Sequence, residues 1–149
     1  LTIHEVNGRS EILITSPFGL GRSTDDGKSW LWHEFASFEG SKLAQAYSRC
    51  VRVPWNDGTV IVCVGGGIPG GVGGIEVSYD YGETFARALL PDVPNSTMYW
   101  LATHKDLPGV VAATSVYGEI YVTEDSCRSW QKLERELGEI RSTILVPSD

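Results

Sequence analysis

An eight-residue pattern occurs three times in this chain of 149 residues and limits its fold more than any other feature. Ser23 to Trp30 reads STDDGKSW, Ser78 to Phe85 reads SYDYGETF and Thr123 to Trp130 reads TEDSCRSW. The shared template is S/T-x-D-x-G-x-S/T-aromatic, with Cys127 standing where the third copy would carry glycine. The first two copies start 55 residues apart and the next two 45 apart, close to the length of a four-stranded propeller blade. The flanks repeat as well. An apolar run precedes a glycine-containing turn, one strand leads into the pattern, and another leaves it at the aromatic residue.

The rest of the chain reads as all-β. Glu11 to Ser16, Cys50 to Pro54, Thr59 to Val64, Gly74 to Ser78, Tyr99 to Thr103, Val110 to Ser115, Glu119 to Thr123 and Arg141 to Val146 are short, rich in β-branched or aromatic residues, and bounded by turn formers. Two stretches, 40–46 and 131–137, look helix-like, but neither sustains apolar residues at helical spacing. These runs predict a β-propeller segment of about three four-stranded antiparallel blades. Blade one is expected over about 1–38, blade two over about 46–91 and blade three over about 97–136, with the repeated pattern turning between the third and fourth strands of each.

The residue types in the pattern suit a tight turn. An Asp carboxylate accepts backbone N–H bonds, glycine takes a positive φ, Ser and Thr hydroxyls bond locally, and the aromatic ring packs between sheets. Asp25, Asp80 and Asp125 are therefore expected to fasten turns, with Ser23, Gly27, Ser78, Gly82 and Thr123 completing them and Trp30, Phe85 and Trp130 anchoring the core. Cys127 at a positive φ should cost on the order of 1 kcal/mol.

The template resembles the Asp box of the BNR-repeat propellers, a superfamily that includes sialidases, xyloglucan-degrading hydrolases, sortilin-type receptors and photosystem assembly factors. The resemblance implies that the boxes lie on the face opposite the loops that build ligand sites. Those loops, at the mouth of the central channel, select Phe18, Tyr47, Arg49, Asn95, Tyr99, Trp100, Tyr117, Arg141 and the glycine-rich loop Gly65 to Gly74 as candidate binding residues. Blade-packing is the competing role for these aromatic side chains.

Three blades leave open edges, whereas propellers close with about four to eight. The expected partners are a second copy, giving a homodimer with a six-bladed ring, or further blades of a longer chain. In the first case the strand at 140–147 completes blade one of the neighbouring copy. Leu1 to Val6 is the alternative innermost strand for that blade.

Composition excludes several function classes. The net charge is −7 and the basic residues are scattered, so the footprint of nucleic-acid binding is missing. No apolar run reaches the roughly 18 residues that a membrane helix needs, and Leu1 to Ser10 carry neither the basic nor the apolar region of a signal peptide. The sequence assigns no compartment. Cys50, Cys63 and Cys127 have no C-x-x-C spacing, and His4, His33 and His104 are isolated, so no metal or other cofactor is expected. Cys50 and Cys63 flank the Asn56–Asp57 turn symmetrically, which predicts facing thiols or a cross-strand disulfide. Asn95-Ser96-Thr97 forms an N-x-T sequon.

Two functional readings follow. The first is a noncatalytic propeller scaffold or binding module for a carbohydrate or protein at the channel mouth. The second is a BNR-class glycoside hydrolase, or an inactive fragment of one. Arg52-Val53-Pro54 with downstream Gly58-Thr59 is similar to the R-I-P and G-T segments of sialidases. Asp57, Asp92 and Asp106 all sit beside Gly, Pro or Lys in turn contexts, so turn formation accounts for them without a hydrolytic carboxylate pair. No nucleophile motif is present, and GGGIPG at 65–70 leads into a strand, not the helix N-terminus of a nucleotide site.

Overall fold

A computed structural model describes residues 1–6, 8–135 and 137–147. The expected end of blade three at 136 lies outside the described residues. The chain forms three four-stranded antiparallel sheets, each a meander in chain order. Sheet one contains β1 (Thr2–Val6), β2 (Arg9–Ser16), β3 (Gly19–Ser23) and β4 (Leu31–His33). Sheet two contains β5 (Tyr47–Arg52), β6 (Val60–Gly65), β7 (Gly73–Ser78) and β8 (Ala86–Arg87). Sheet three contains β9 (Met98–Thr103), β10 (Val111–Ser115), β11 (Ile120–Thr123) and β12 (Gln131–Lys132).

Strand alternation decides how the sheets stack, because successive side chains point to opposite faces. Leu13 and Leu20 of sheet one pack with Val51, Val60, Val62 and Val64 of sheet two. The alternate residues of sheet two, Cys50, Ile61, Cys63, Ile75 and Val77, pack with Met98, Leu101, Val111, Ala113 and Tyr121 of sheet three. Sheet two is thus buried on both faces, which explains the near-continuous apolar run TVIVCV at its centre. Cys50 and Cys63 stand directly opposite in the β5–β6 register, both as buried free thiols, and burial pushes the Cys63 thiol pKa up.

The first sheet takes the alternative innermost strand. Its innermost place is taken by Thr2–Val6, in register Ile3↔Ile12, and Thr2 Oγ1 donates to Val51 O at 3.0 Å. Segment 140–147, expected to complete blade one of a neighbouring copy, pairs with no strand among the described residues. It runs beside sheet three, where Ile140 N donates to Val116 O at 3.3 Å and the Thr143 and Thr114 hydroxyls lie 3.2 Å apart. Chain proximity favours this outcome. A hairpin turning at Gly8 (φ +74) closes a very short loop, at far lower entropic cost than recruiting a strand from the other end.

The three repeated turns share one hydrogen-bond set. The hydroxyls of Ser23, Ser78 and Thr123 donate to Oδ1 of Asp25, Asp80 and Asp125 at 2.9, 2.7 and 2.8 Å. The hydroxyl oxygens of Ser23, Ser78 and Thr123 in turn accept the backbone N–H of Gly27, Gly82 and Cys127. The carboxylates also accept the backbone N–H of Ser29, Thr84 and Ser129 at 2.8, 2.9 and 2.9 Å, and the hydroxyls of these residues at 2.7, 2.5 and 2.6 Å. Cys127 adopts φ +68, so the third turn keeps its shape with a Cβ in the left-handed region, and that thiol is buried in the core.

These bonds all favour the ionised carboxylate. The Ser29 hydroxyl is the largest influence on Asp25, Ser78 on Asp80 and Ser129 on Asp125, and each carboxyl is held at about 2 in place of its ordinary 3.8. A folded-state pKa below the unfolded value contributes stability above the unfolded pKa, which is lost as pH falls through the folded one. The melting temperature is therefore expected to fall steeply between about pH 4 and about pH 2. An Asp80→Asn variant followed by circular dichroism should lose part of that dependence.

Candidate functional site

Sheet stacking brings β5 and β9 side by side as the innermost strands of their sheets. A β-bulge between Ser48 and Cys50 breaks the alternation of β5, burying both of those residues while Arg49 turns outward. Its backbone carbonyl accepts the Thr15 hydroxyl at 2.9 Å, which fixes the strand against sheet one. The Arg49 guanidinium lies 4.4 Å from the Tyr99 ring centroid and 5.8 Å from that of Trp100. The two rings meet edge to face, 5.1 Å apart at 81°. Trp100 Nε1 donates to Ile140 O at 3.2 Å, tying the cluster to the C-terminal segment. Stacking holds the guanidinium of this exposed residue in place, an arrangement suited to an acceptor-rich ligand.

Three of the eight candidate residues thus come together. Phe18 and Tyr117 are exposed at the β2–β3 and β10–β11 turns. Tyr47 opens β5 opposite Gly65 and is half-buried, and Arg141 is exposed beside Glu139. Asn95 is used internally. Its backbone N donates to Glu119 Oε2 at 2.7 Å, and its Oδ1 accepts the hydroxyls of Ser96 and Ser115, both at 2.9 Å. Ser96 and Thr97 are buried, so the folded chain hides the sequon.

The glycine-rich loop is anchored and not free. Gly66 N bonds to Val72 O, while Thr97 N bonds to Pro69 O and the Thr97 hydroxyl to Gly67 O. Asp57 accepts Thr59 N at 2.9 Å, a turn-forming bond. Asp92 does something sequence reasoning missed. It accepts the Tyr121 hydroxyl at 2.6 Å and the Lys132 ammonium at 3.0 Å, and Lys132 also reaches Glu119 at 2.5 Å. The Tyr121 bond holds the Asp92 carboxyl below its usual range, while burial and these neighbouring carboxylates push the Tyr121 phenol well up. Such a tyrosine stays protonated and is a poor nucleophile. The recoverable signal was positional, because Tyr121 and Lys132 each lie two residues outside the third repeated pattern and face each other across β11 and β12.

Among the described residues the buried carboxylates are engaged: Glu11 pairs with Arg22, Glu76 with Arg87, and Glu119 with Lys132. Among the described residues no group of three or more His, Cys, Asp or Glu side chains is arranged to hold a metal ion.

No protein-family model matches the sequence, and no curated protein matches it. Solved structures do match. One is described as YCF48 bound to D1 peptide, with a TM-score of 0.59 and 17% sequence identity. The fold is that of a β-propeller. The match covers 88% of this chain and 38% of that one, so the three sheets correspond to a minority of the propeller they resemble.

Proposed function

We propose that this chain is a noncatalytic binding module of the Asp-box propeller class, taking a protein segment against the Arg49–Tyr99–Trp100 cluster at the channel mouth. The stacked, outward-facing Arg49 guanidinium carries this reading. An extended peptide offers carbonyl and carboxylate acceptors to the guanidinium and apolar side chains to the two rings, and aromatic and Arg side chains are the usual anchors of protein recognition. The propeller that it resembles is described as bound to a peptide, which supports the same class of ligand. The hydrolase reading has less support, since the buried carboxylates are spent on ion pairs and the repeated-turn Asp residues on backbone bonds.

A displayed library of random peptides, panned in parallel on the native chain and on Arg49→Ala, tests the proposal. Native protein is expected to enrich sequences whose affinity drops about tenfold or more in the variant, the loss of one charged hydrogen-bonded anchor. Equal binding by both proteins would move the ligand site elsewhere. Enrichment on a glycan array without any peptide binding would favour a carbohydrate ligand, stacked on Tyr99 and Trp100.

A further inference from the structure

The stacking of the three sheets repeats one contact twice and leaves its third instance uncovered. In sheet two, Glu76 and Arg87 face each other across β7 and β8 and receive the connection that follows sheet one: Arg87 donates to Ala36 O at 2.7 Å and lies 4.0 Å from the Phe38 ring. In sheet three, Tyr121 and Lys132 occupy the same register across β11 and β12 and receive Asp92 from the connection that follows sheet two. The equivalent pair in sheet one is Gly21 and Trp32. Neither is charged.

The centre of the face carrying that pair is apolar, with Glu5, Ser10, Ser16 and Ser23 at its margins. A Cβ on Gly21 would meet Ile14 at 2.9 Å and both Trp30 and Trp32 at 3.2 Å, so three large side chains converge over this glycine. Ile3 lies opposite Ile12 on the neighbouring strands and extends the stripe to the innermost edge. Ile3 is 62% exposed and Trp32 48% exposed. The opposite face of sheet one, bearing Leu13 and Leu20, is already buried against sheet two. An apolar sheet face of this width marks an interaction surface.

From this geometry we infer that the Ile3–Ile14–Trp32 face of sheet one docks sheet three of a second copy of this chain. The inference rests on the fold and not on the peptide-binding reading. Between the outer face of sheet three and the C-terminal segment lies a groove of about 620 Å³, lined by Ile120 of the sheet and by Leu137, Ile140 and Ile144 beside Glu139 and Arg141 of the segment, a receptor for a protruding Trp32. That groove lies where the two observed sheet-to-sheet contacts would continue. Two copies joined head to tail bury both open faces and close six sheets, within the range in which propeller rings close. In the closed ring, sheet three of one copy stands to sheet one of the other as sheet one stands to sheet two within a copy.

Light scattering on the native chain over a micromolar concentration series is expected to give twice the 16.3 kDa chain mass. Ile3→Glu and Trp32→Glu should each halve that mass while the far-ultraviolet circular dichroism stays native. Leu89→Glu, at a 92% exposed site away from this face, should leave the dimer intact. A native chain that stays at the single mass overturns the inference, as does a dimer that survives Trp32→Glu or dissociates on Leu89→Glu. An open-ended ladder of masses overturns ring closure.

Discussion

Replacing Arg22 with alanine is expected to destabilise the chain by about 3–5 kcal/mol, the cost of leaving a buried charge without its partner. For a domain of this size that lowers the melting temperature by roughly 10 °C. Arg22 is buried and grips Glu11 with two parallel bonds, Nε to Oε2 and Nη2 to Oε1, each 2.9 Å long. Its remaining arm reaches Glu83 in the repeated turn of sheet two at 2.5 Å. One side chain therefore holds β2 against β3 and sheet one against sheet two. The two carboxylates differ in worth. Glu83 is 61% exposed and screened by water, so Glu83→Ala should cost no more than about 1 kcal/mol. Glu11 is buried, and the Arg22→Ala penalty comes from stranding it. Pairing Arg22→Met with Glu11→Leu removes the stranded charge, and urea unfolding should return most of the lost stability. A double variant as unstable as Arg22→Ala would show that lost packing, and not the orphaned carboxylate, carries the effect.

Arg22 also shows where sequence reading stops. The period of the repeated pattern, the positions of Asp25, Asp80 and Asp125, and the apolar runs around Val62 and Ala113 are local signals, and the propeller architecture follows from them because turn chemistry and period-two alternation act over a few residues. The Cys50–Cys63 pairing was readable for the same reason, since a symmetric hairpin fixes its own register. Partners across stacked sheets are different. Arg22 meets Glu83, and Asp92 meets Lys132, only after sheets separated by dozens of residues have packed, and no spacing rule encodes that meeting. The candidate site was legible to the same extent. Tyr99 and Trp100 sit in an evident strand, but Arg49 joins them because of a bulge that a sequence does not announce. Asn95 looked like a loop residue free to bind, and became a bracket for Ser115 and Glu119 once its connection packed against sheet three.

The glycine-rich loop supports a second large effect, and it tests how the binding cluster is held. Gly65 ends β6, and a Cβ there would lie 2.1 Å from Thr97 Oγ1 and 2.5 Å from Thr97 Cα. The missing side chain is what lets the connection between sheets two and three pass so closely. Thr97 in turn bonds to Pro69 O and Gly67 O, and β9 begins at the next residue, two positions before Trp100. Gly65→Ala therefore cannot be absorbed by a flexible side chain, because the backbone at Thr97 must move. Overpacking of this kind costs about 1–3 kcal/mol, and the displaced β9 should carry Tyr99 and Trp100 away from Arg49. Stability and peptide affinity are then expected to fall together, although residue 65 is not itself a member of the cluster. Gly71→Ala is the matched control. A Cβ at that position meets nothing within 4 Å, so both properties should stay near native. If Gly65→Ala lowers the melting temperature while peptide affinity is unchanged, the Arg49 cluster does not depend on the Thr97 anchor and the ligand contacts lie elsewhere on the mouth.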